Sequence, residues 1–282
     1  MSRVVSSGPT LRRLHFVHVG KTGGTAIKQT LMRRRLAYWQ EEKAEAAPET
    51  PHGRIQLHHH KFTMADVPAE DKVFFCVRDP IDRFMSAYYS RLHKGKPRFY
   101  YEWSEAERKA FEAFPTPQQL AMALTSRDEE ERGRARSAMR RIRHLGFMDR
   151  QLGTPRQLRA QLGQIVYIAR QETLADDWEQ IKVMLALPPE AELPSGPVRS
   201  HRRDASVDRT LDDDARRALR EWYERDYRLV SYCDQLRAWH GWGAGPDTPA
   251  GADRLRRGVR RLRGIPAVLP PPPPALRRRL PF

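Results

Sequence analysis

Residues 14–27 place a glycine-rich turn directly between an apolar run and a helical pattern. The apolar run predicts a short buried strand, and the three glycines predict a tight loop leading into a helix that begins near Ala26. Such a loop lets backbone N–H groups point at an anion with no Cβ in the way. The helix N-terminus adds partial positive charge, Lys21 adds a full one, and Thr22 and Thr25 offer hydroxyls. The segment therefore predicts a phosphate or sulfate site.

Two other interpretations of this segment compete with an anion site. Glycines alone would fit an ordinary strand–turn–helix connection, but the flanking lysine and threonines favour the anion site. The nucleotide-triphosphatase P-loop has the pattern G-x-x-x-x-G-K-[ST]. Gly20, Lys21 and Thr22 match its end, but His15 stands where its first glycine belongs. Here glycines follow the lysine, which predicts a shorter loop of different shape.

A second buried strand is predicted at residues 72–77, and it runs straight into a helix whose first residue is proline. Asp79 is suited to cap that helix. Arg78 and Ser86 can converge near the carboxyl edge of a sheet, where open α/β sheets bind ligands. Arginine there is suited to clamp a phosphate in a bidentate manner. A structural salt-bridge cluster of Arg78, Asp79 and Arg83 explains the same pattern equally well.

Three consecutive histidines follow a short predicted strand near residues 55–57. In extended chain His58 and His60 would share a face and His59 would point away. A general base suits this position because histidine titrates near neutral pH. Two alternatives remain: a metal pair, which no other Cys or His cluster completes, and surface histidines without a role.

The remaining pattern predicts mostly helices. A helix is expected over residues 26–47, ended by prolines, and a strand over 164–169. A final long helix is expected to open at Thr210-x-x-Asp213, in the manner of a capping box. The other expected helices span residues 104–114, 116–126, 128–142, 154–162 and 173–187.

Charge and composition divide the chain of 282 residues, which carries a formal net charge of +16. Residues 252–282 hold nine arginines and one aspartate, so half of that charge lies there. This excess of positive charge favours polyanionic partners. From residue 243 the Pro- and Arg-rich composition is typical of a disordered or extended tail, and it favours a solvated tail with no fixed partner over one that touches an anionic surface. We accordingly expect one folded domain over residues 1–242.

The two cysteines, Cys76 and Cys233, form no disulfide framework, and Cys76 lies in an apolar run that predicts a core position. The chain shows no signal-peptide core and no run of transmembrane length. We expect a soluble cytoplasmic protein, peripheral to a membrane at most through its basic tail.

Two motifs in order resemble those of sulfotransferases that use 3′-phosphoadenosine 5′-phosphosulfate (PAPS). They are Lys21-Thr-Gly-Gly-Thr25 after the first strand and Arg78-Asp-Pro-x-x-Arg-x-x-Ser-x-Tyr88 after a later one. The motifs especially resemble those of the branch containing heparan sulfate 2-O-sulfotransferase and bacterial carbohydrate sulfotransferases. The resemblance spans residues 14–240 and is specific in the first 90.

The resemblance implies an α/β, P-loop-like, three-layer fold with a mostly parallel central sheet flanked by helices. It implies that Arg78 and Ser86 hold the 3′-phosphate and that Lys21 also touches the bridging oxygen. His60 matches the catalytic histidine, with the register uncertain by one among the three histidines. An arginine of the loop at 197–203, such as Arg202, would help bind the phosphates. The loop around the 5′-phosphosulfate would comprise Lys21, Thr22, Gly23, Gly24, Thr25 and Ala26.

In the implied reaction, a histidine base removes the proton of the acceptor hydroxyl. The lysine and the N–H groups of the loop stabilise the negative charge that develops on the leaving oxygen. No metal is expected, and the favoured partner besides the nucleotide donor is a hydroxyl acceptor, expected on a glycan. One alternative is a P-loop kinase or nucleoside triphosphatase with Asp79 as the magnesium-binding acid. A second is a basic protein that binds nucleic acid or membrane through its arginines, although no dedicated nucleic-acid partner is expected.

Overall fold

The computed structural model describes residues 12–97, 99–194 and 210–243 of the chain. Within these ranges six strands form one sheet, with the order β2-β4-β1-β5-β6 and with β3 paired to β4. The strands are β1 (Arg13–Val17), β2 (Ala37–Tyr38), β3 (Glu49–Thr50), β4 (Gly53–Leu57), β5 (Lys72–Val77) and β6 (Ile165–Arg170).

Helices account for most of the remaining described residues. Five of them lie between the helix that follows β5 and strand β6, and two more close the described part of the chain. The α-helices are α1 (Gly24–Arg33), α2 (Pro80–Leu92), α3 (Glu105–Ala113), α4 (Pro117–Ala123), α5 (Glu129–Arg141), α6 (Asp149–Leu152), α7 (Pro155–Ala160), α8 (Leu174–Met184), α9 (Asp213–Trp222) and α10 (Glu224–His240).

The sheet is parallel except for the short pairing of β3 with β4. Strand β1 lies between β4 and β5, with Phe16 opposite Leu57 on one side and Phe74 on the other. Strand β5 is paired in turn with β6. The carboxyl ends of β1, β4, β5 and β6 therefore meet at one edge, as expected for an open α/β sheet that binds ligands there.

Helices cover both faces of the sheet, which confirms the predicted α/β fold with a mostly parallel sheet. On one face Phe16 and Phe74 pack with α1 and α8, through side chains such as Ile27 and Trp178. On the other face, strand residues such as Phe75 pack with α7 and α10. Cys76 is buried, as the apolar run predicted.

A separate helical core lies beside the sheet and is formed by α2, α3, α4, α5 and α9. The three short helices predicted in this region are confirmed, and their starts are capped by Ser104, Thr116 and Asp128. No helix in the described ranges is both long and apolar enough to cross a membrane.

The expected helix over residues 26–47 is wrong beyond Arg33. Arg35 adopts a left-handed conformation with φ of 54°, and the Leu36 N–H donates to the Leu31 carbonyl at 2.8 Å. This turn ends α1 and sends Ala37 and Tyr38 into the sheet as β2, where both are buried. Burial against β4 outweighs the local helix propensity.

The expected single long helix after Thr210 is two helices that meet at Tyr223. Asp212, rather than Thr210, caps α9 by accepting from the Ala215 N–H at 2.7 Å. Tyr223 is fully buried, and its hydroxyl donates to the Leu145 carbonyl at 2.7 Å. The break lets α9 pack in the helical core while α10 packs on the sheet.

Candidate active site

The loop between β1 and α1 is shaped by backbone conformations that favour glycine. Gly23, which precedes α1, has φ of 90°, and Lys21 has φ of 70°. The side chain of Thr22 is buried beneath the loop, and its hydroxyl donates to the Val19 carbonyl at 2.9 Å. A Cβ at Gly24 would lie 2.2 Å from Cδ2 of His18, so the histidine ring occupies the space that a side chain would need. The loop is thus packed against a histidine.

A cavity of about 640 Å³, here called the loop cavity, lies over this turn. The first turn of α1 lines the cavity, and the first N–H groups of a helix have no carbonyl four residues back within it. The Ala26 N–H donates to the Gly23 carbonyl at 2.9 Å, which leaves the N–H groups of Gly24 and Thr25 as the ones that can donate to a ligand. Together with Lys21, these groups make one wall of the cavity a site for an anion. The cavity brings together most of the predicted donor-binding residues: Lys21, Gly23, Gly24, Thr25, Ala26, Arg78 and Ser86.

Another part of the lining of the loop cavity comes from the residues that follow β5 and β6. Arg78 is almost fully buried, and it donates to the Lys21 carbonyl at 3.2 Å. Glu172 accepts from the Asp79 N–H at 2.7 Å and so fixes the start of α2. The Asp79 carboxylate caps α2 through the N–H groups of Ile81 and Asp82, at 2.9 and 3.0 Å. A cation and a hydroxyl, those of Arg78 and Ser86, therefore line the same cavity as the loop.

A second cavity of about 890 Å³, here called the basic cavity, opens on the other side of Lys21. Among the described residues, those that line it include no aspartate or glutamate. Its wall is formed by α1, the 58–63 segment, the end of α5 and the aromatic residues Phe99 and Tyr101. Its lysines and arginines are Lys21, Lys28, Lys61, Arg83, Arg91, Arg140, Arg141, Arg143 and Arg150.

Three residues line both cavities: His18, Lys21 and Thr25. Burial, with Arg78 nearby, lowers the pKa of the Lys21 ammonium to about 8. Burial, followed by the charge of His60, lowers the pKa of His18 well below its usual value, so His18 is neutral at neutral pH. A group transferred between ligands in the two cavities has to pass this junction.

The three consecutive histidines contact three different parts of the site. Because β4 ends at Leu57, the predicted alternation does not apply, and His59 lines the same cavity as His60. The ring of His59 packs on Trp39 with centroids 5.0 Å apart. The prediction that His59 points away is therefore wrong.

His60 lies nearest the junction, with its ring centroid 4.1 Å from that of His18. Its Nδ1 lies 3.3 Å from the His18 carbonyl oxygen, which can only accept, so Nδ1 carries the proton and Nε2 is the basic nitrogen. Although the side chain is partly open to solvent, desolvation and then the Lys28 ammonium lower the pKa of His60. The imidazole is therefore neutral at neutral pH and able to accept a proton.

His58 instead belongs to a buried chain of hydrogen-bonding groups. Asp71 Oδ2 lies 3.0 Å from His15 Nε2, and His15 Nδ1 lies 2.8 Å from His58 Nε2. The Asp71 carboxylate can only accept, so Nε2 of His15 carries the proton. Nδ1 of the neutral His15 ring is then unprotonated and accepts a hydrogen bond from Nε2–H of His58. The His58 ring also stacks on Phe62 with centroids 3.5 Å apart, and its carbonyl accepts from Lys28. His58 thereby anchors the turn that carries His60.

The buried guanidinium of Arg83 connects the loop to the wall of the basic cavity. It donates to the Gly20 carbonyl at 3.0 Å and to the Gly146 carbonyl at 2.8 Å. It also lies 3.9 Å from Asp226, whose carboxylate accepts from the Met148 N–H. The predicted alternative, a salt-bridge cluster of Arg78, Asp79 and Arg83, is wrong for Arg83, whose carboxylate partner is Asp226.

Sequence reasoning missed several residues of this site. His144 packs on the loop, since a Cβ at Gly20 would lie 2.3 Å from its Nδ1, and Arg216 lines the loop cavity. The one visible signal was a pair of histidines, His15 and His18, among the apolar residues of the 14–19 segment. Arg202 and the tail from residue 244 lie outside the described residues.

Comparison with protein families agrees with this geometry. The family model described as the sulfotransferase family matches residues 10–233, which is most of the chain. A search of curated proteins gave no match. The chain belongs to the sulfotransferase family, whose members transfer a sulfuryl group. This match confirms the predicted sulfotransferase family, and the branch within it stays a prediction.

Replacing Gly24 by alanine tests how closely His18 packs on the loop. Because the new Cβ would overlap the ring, we expect Gly24→Ala to lower the free energy of unfolding by about 1–3 kcal/mol. Gly133 is the matched control: it lies inside α5 with no atom within 4 Å of an added Cβ. Gly133→Ala should raise that free energy by about 0.5–1 kcal/mol. Urea unfolding measures both, and a shift of the same sign in both variants would contradict the packing.

Proposed function

We propose that this protein transfers the sulfuryl group of PAPS to a hydroxyl of an anionic carbohydrate. The observation that carries the proposal is the arrangement of two cavities that meet at Lys21, His18 and Thr25. One cavity has the loop and helix N-terminus suited to a nucleotide phosphate, and the other is lined by cations. A transferase with two substrates needs such a pair of sites with a shared junction.

The residues of the loop cavity fit the donor. Gly23 and Gly24 line the cavity where the 5′-phosphosulfate would lie, and the start of α1 would supply N–H groups to it. Arg78 and Ser86 line the same cavity and would hold the 3′-phosphate. The donor supplies an activated sulfuryl group, and Lys21 would neutralise charge that develops on the leaving phosphate.

His60 is the residue that we assign as the base. Its neutral imidazole has the basic Nε2 available because Nδ1 donates to the His18 carbonyl. Nε2 would take the proton of the acceptor hydroxyl as the oxygen attacks sulfur. His58 holds the turn in place, and the protonated imidazole would later release its proton to water.

The basic cavity supports an acceptor that carries negative charge. Arg140, Arg141, Arg143 and Arg150 are exposed around it, and Lys61 is exposed beside His60. The described lining of the cavity includes no acidic residue, so its positive charge is not balanced when the acceptor is neutral. A negatively charged acceptor would balance it. Phe99 and Tyr101 add aromatic faces on which sugar rings can pack. An anionic carbohydrate meets both requirements.

The kinase alternative is less well supported. Asp79, the residue it would need for magnesium, has both carboxylate oxygens in hydrogen bonds: two to N–H groups of α2 and one, at 3.3 Å, from the Tyr227 hydroxyl. These contacts give Asp79 a structural role as a helix cap. Binding of ATP with and without magnesium, measured alongside the bisphosphate below, separates the two functions.

Calorimetric titration with 3′-phosphoadenosine 5′-phosphate, the desulfated donor, tests the proposal. We expect binding without magnesium, weakened on the order of 10- to 100-fold in Lys21→Ala and in Arg78→Ala, because each removes a charged contact. Lys72→Ala is the matched control, since Lys72 starts the strand that ends beside Arg78 and its ammonium donates to the Gly163 carbonyl at 2.7 Å. Unchanged affinity in both site variants, or a preference for magnesium-ATP, would contradict the proposal.

The pH dependence of kcat/KM for the donor should be bell-shaped. The pKa of His60 is lowered below its usual 6.5, so activity is full at neutral pH and falls as pH drops through that lowered value. The pKa of Lys21 is about 8, so activity falls as pH rises through about 8 and the ammonium loses its charge. Lys21→Arg stays charged, and it should lose the alkaline limb whatever its absolute rate. An alkaline limb that persists in Lys21→Arg would contradict this assignment.

A further inference from the structure

An exposed row of aromatic side chains separates the basic cavity from another opening in the surface. Residues 99–103 form this row, here called the aromatic ridge. Phe99, Tyr100 and Tyr101 are 46%, 57% and 52% exposed, which is unusual for three large apolar side chains in sequence.

The backbone of the aromatic ridge is held from below by a buried ion pair. Arg91 forms a bidentate pair with Glu107, with both contacts at 2.8 Å, and both residues are buried. The Arg91 guanidinium also donates to the carbonyls of Tyr101 and Glu102 at 3.2 and 3.1 Å. The indole N–H of Trp103 donates to the Arg91 carbonyl at 2.7 Å. A fixed backbone that presents exposed rings is preorganised for binding, because little freedom is lost when a ligand packs on it.

The two sides of the aromatic ridge line different cavities. Phe99 and Tyr101 line the basic cavity, whereas Tyr100 and Trp103 line an open cavity of about 600 Å³, here called the outer cavity. The outer cavity also contains Lys94 and Lys96, and among its described lining residues none is acidic.

Cations accompany the rings on both sides. The Lys96 ammonium lies 5.3 Å from the Tyr100 ring centroid, and the Arg143 guanidinium lies 5.7 Å from that of Tyr101. One acid, Glu102, stands on the ridge, and Lys94 pairs with it. The remaining charge beside the rings is therefore positive. Aromatic faces suit sugar rings, and the neighbouring cations suit their acidic substituents.

We infer that the aromatic ridge and the outer cavity form a second binding subsite for the acceptor, which is an anionic oligosaccharide chain that crosses the ridge. The inference rests on the proposed function, because it extends the acceptor beyond the basic cavity. The sugar that is sulfated lies beside His60, and sugar units further along the chain pack on Tyr100 beside Lys96. The protein thus selects chains over single disaccharides.

Binding of size-defined oligosaccharides of a uronic-acid polysaccharide tests the subsite. We expect the wild-type protein to bind an octasaccharide more tightly than a disaccharide. Tyr100→Ala should weaken octasaccharide binding about tenfold and leave disaccharide binding unchanged, while Tyr100→Phe retains the ring and the affinity. Trp239→Ala is the matched control, since Trp239 is a 43% exposed aromatic on α10. It should change neither affinity.

Equal affinity of the wild-type protein for both lengths, or an octasaccharide affinity that Tyr100→Ala leaves unchanged, would overturn the subsite. Equal weakening of both lengths by Tyr100→Ala would overturn it as well. Sulfuryl transfer is measured separately with the same oligosaccharides. Sulfuryl transfer that is equally efficient for all lengths would reject the subsite at the aromatic ridge but not the proposed function. Length-dependent binding without any sulfuryl transfer would support the subsite and reject the proposed function.

Discussion

The site depends on one buried guanidinium, that of Arg83. It holds the carbonyls of Gly20 and Gly146, which belong to the loop after β1 and to the wall of the basic cavity. Asp226 on α10 balances its charge from below. An uncompensated buried charge would cost several kcal/mol, on the order of 3–5, so the three segments are fixed together. The loop after β1 and the wall of the basic cavity both accept hydrogen bonds from Arg83. The junction between the two cavities therefore keeps its shape.

Local signals were sufficient to predict much of the fold and part of the site. The loop at residues 20–24 combines glycines, a lysine and a helix start within a few positions, and the β5–α2 junction combines an apolar run with Asp79 and Pro80. The three short helices after Ser104 carry their own caps. Because each of these patterns spans fewer than about fifteen residues, periodicity and capping rules apply to them directly.

The remaining features depend on contacts that the linear sequence does not reveal. His15 reaches Asp71 across 56 positions, and Arg83 reaches both glycine carbonyls across 63. The predicted helix over residues 26–47 failed for the same reason, since only the presence of β4 makes β2 favourable. The role of His58 was also hidden, because the strand that would have set the direction of its side chain ends one residue earlier. Tertiary packing decides each of these cases.

The central claim is that the two cavities bring an acceptor hydroxyl, a base and an activated sulfuryl group to one junction. Single-turnover transfer from PAPS to an acidic oligosaccharide tests it most directly, with His60→Ala compared against the matched variant His59→Ala. The account predicts that His60→Ala slows transfer by about 10²- to 10⁴-fold with the affinity for the bisphosphate unchanged, and that His59→Ala slows it far less. Transfer by His60→Ala at the wild-type rate would contradict it, and so would nucleotide binding with no sulfuryl transfer to any hydroxyl.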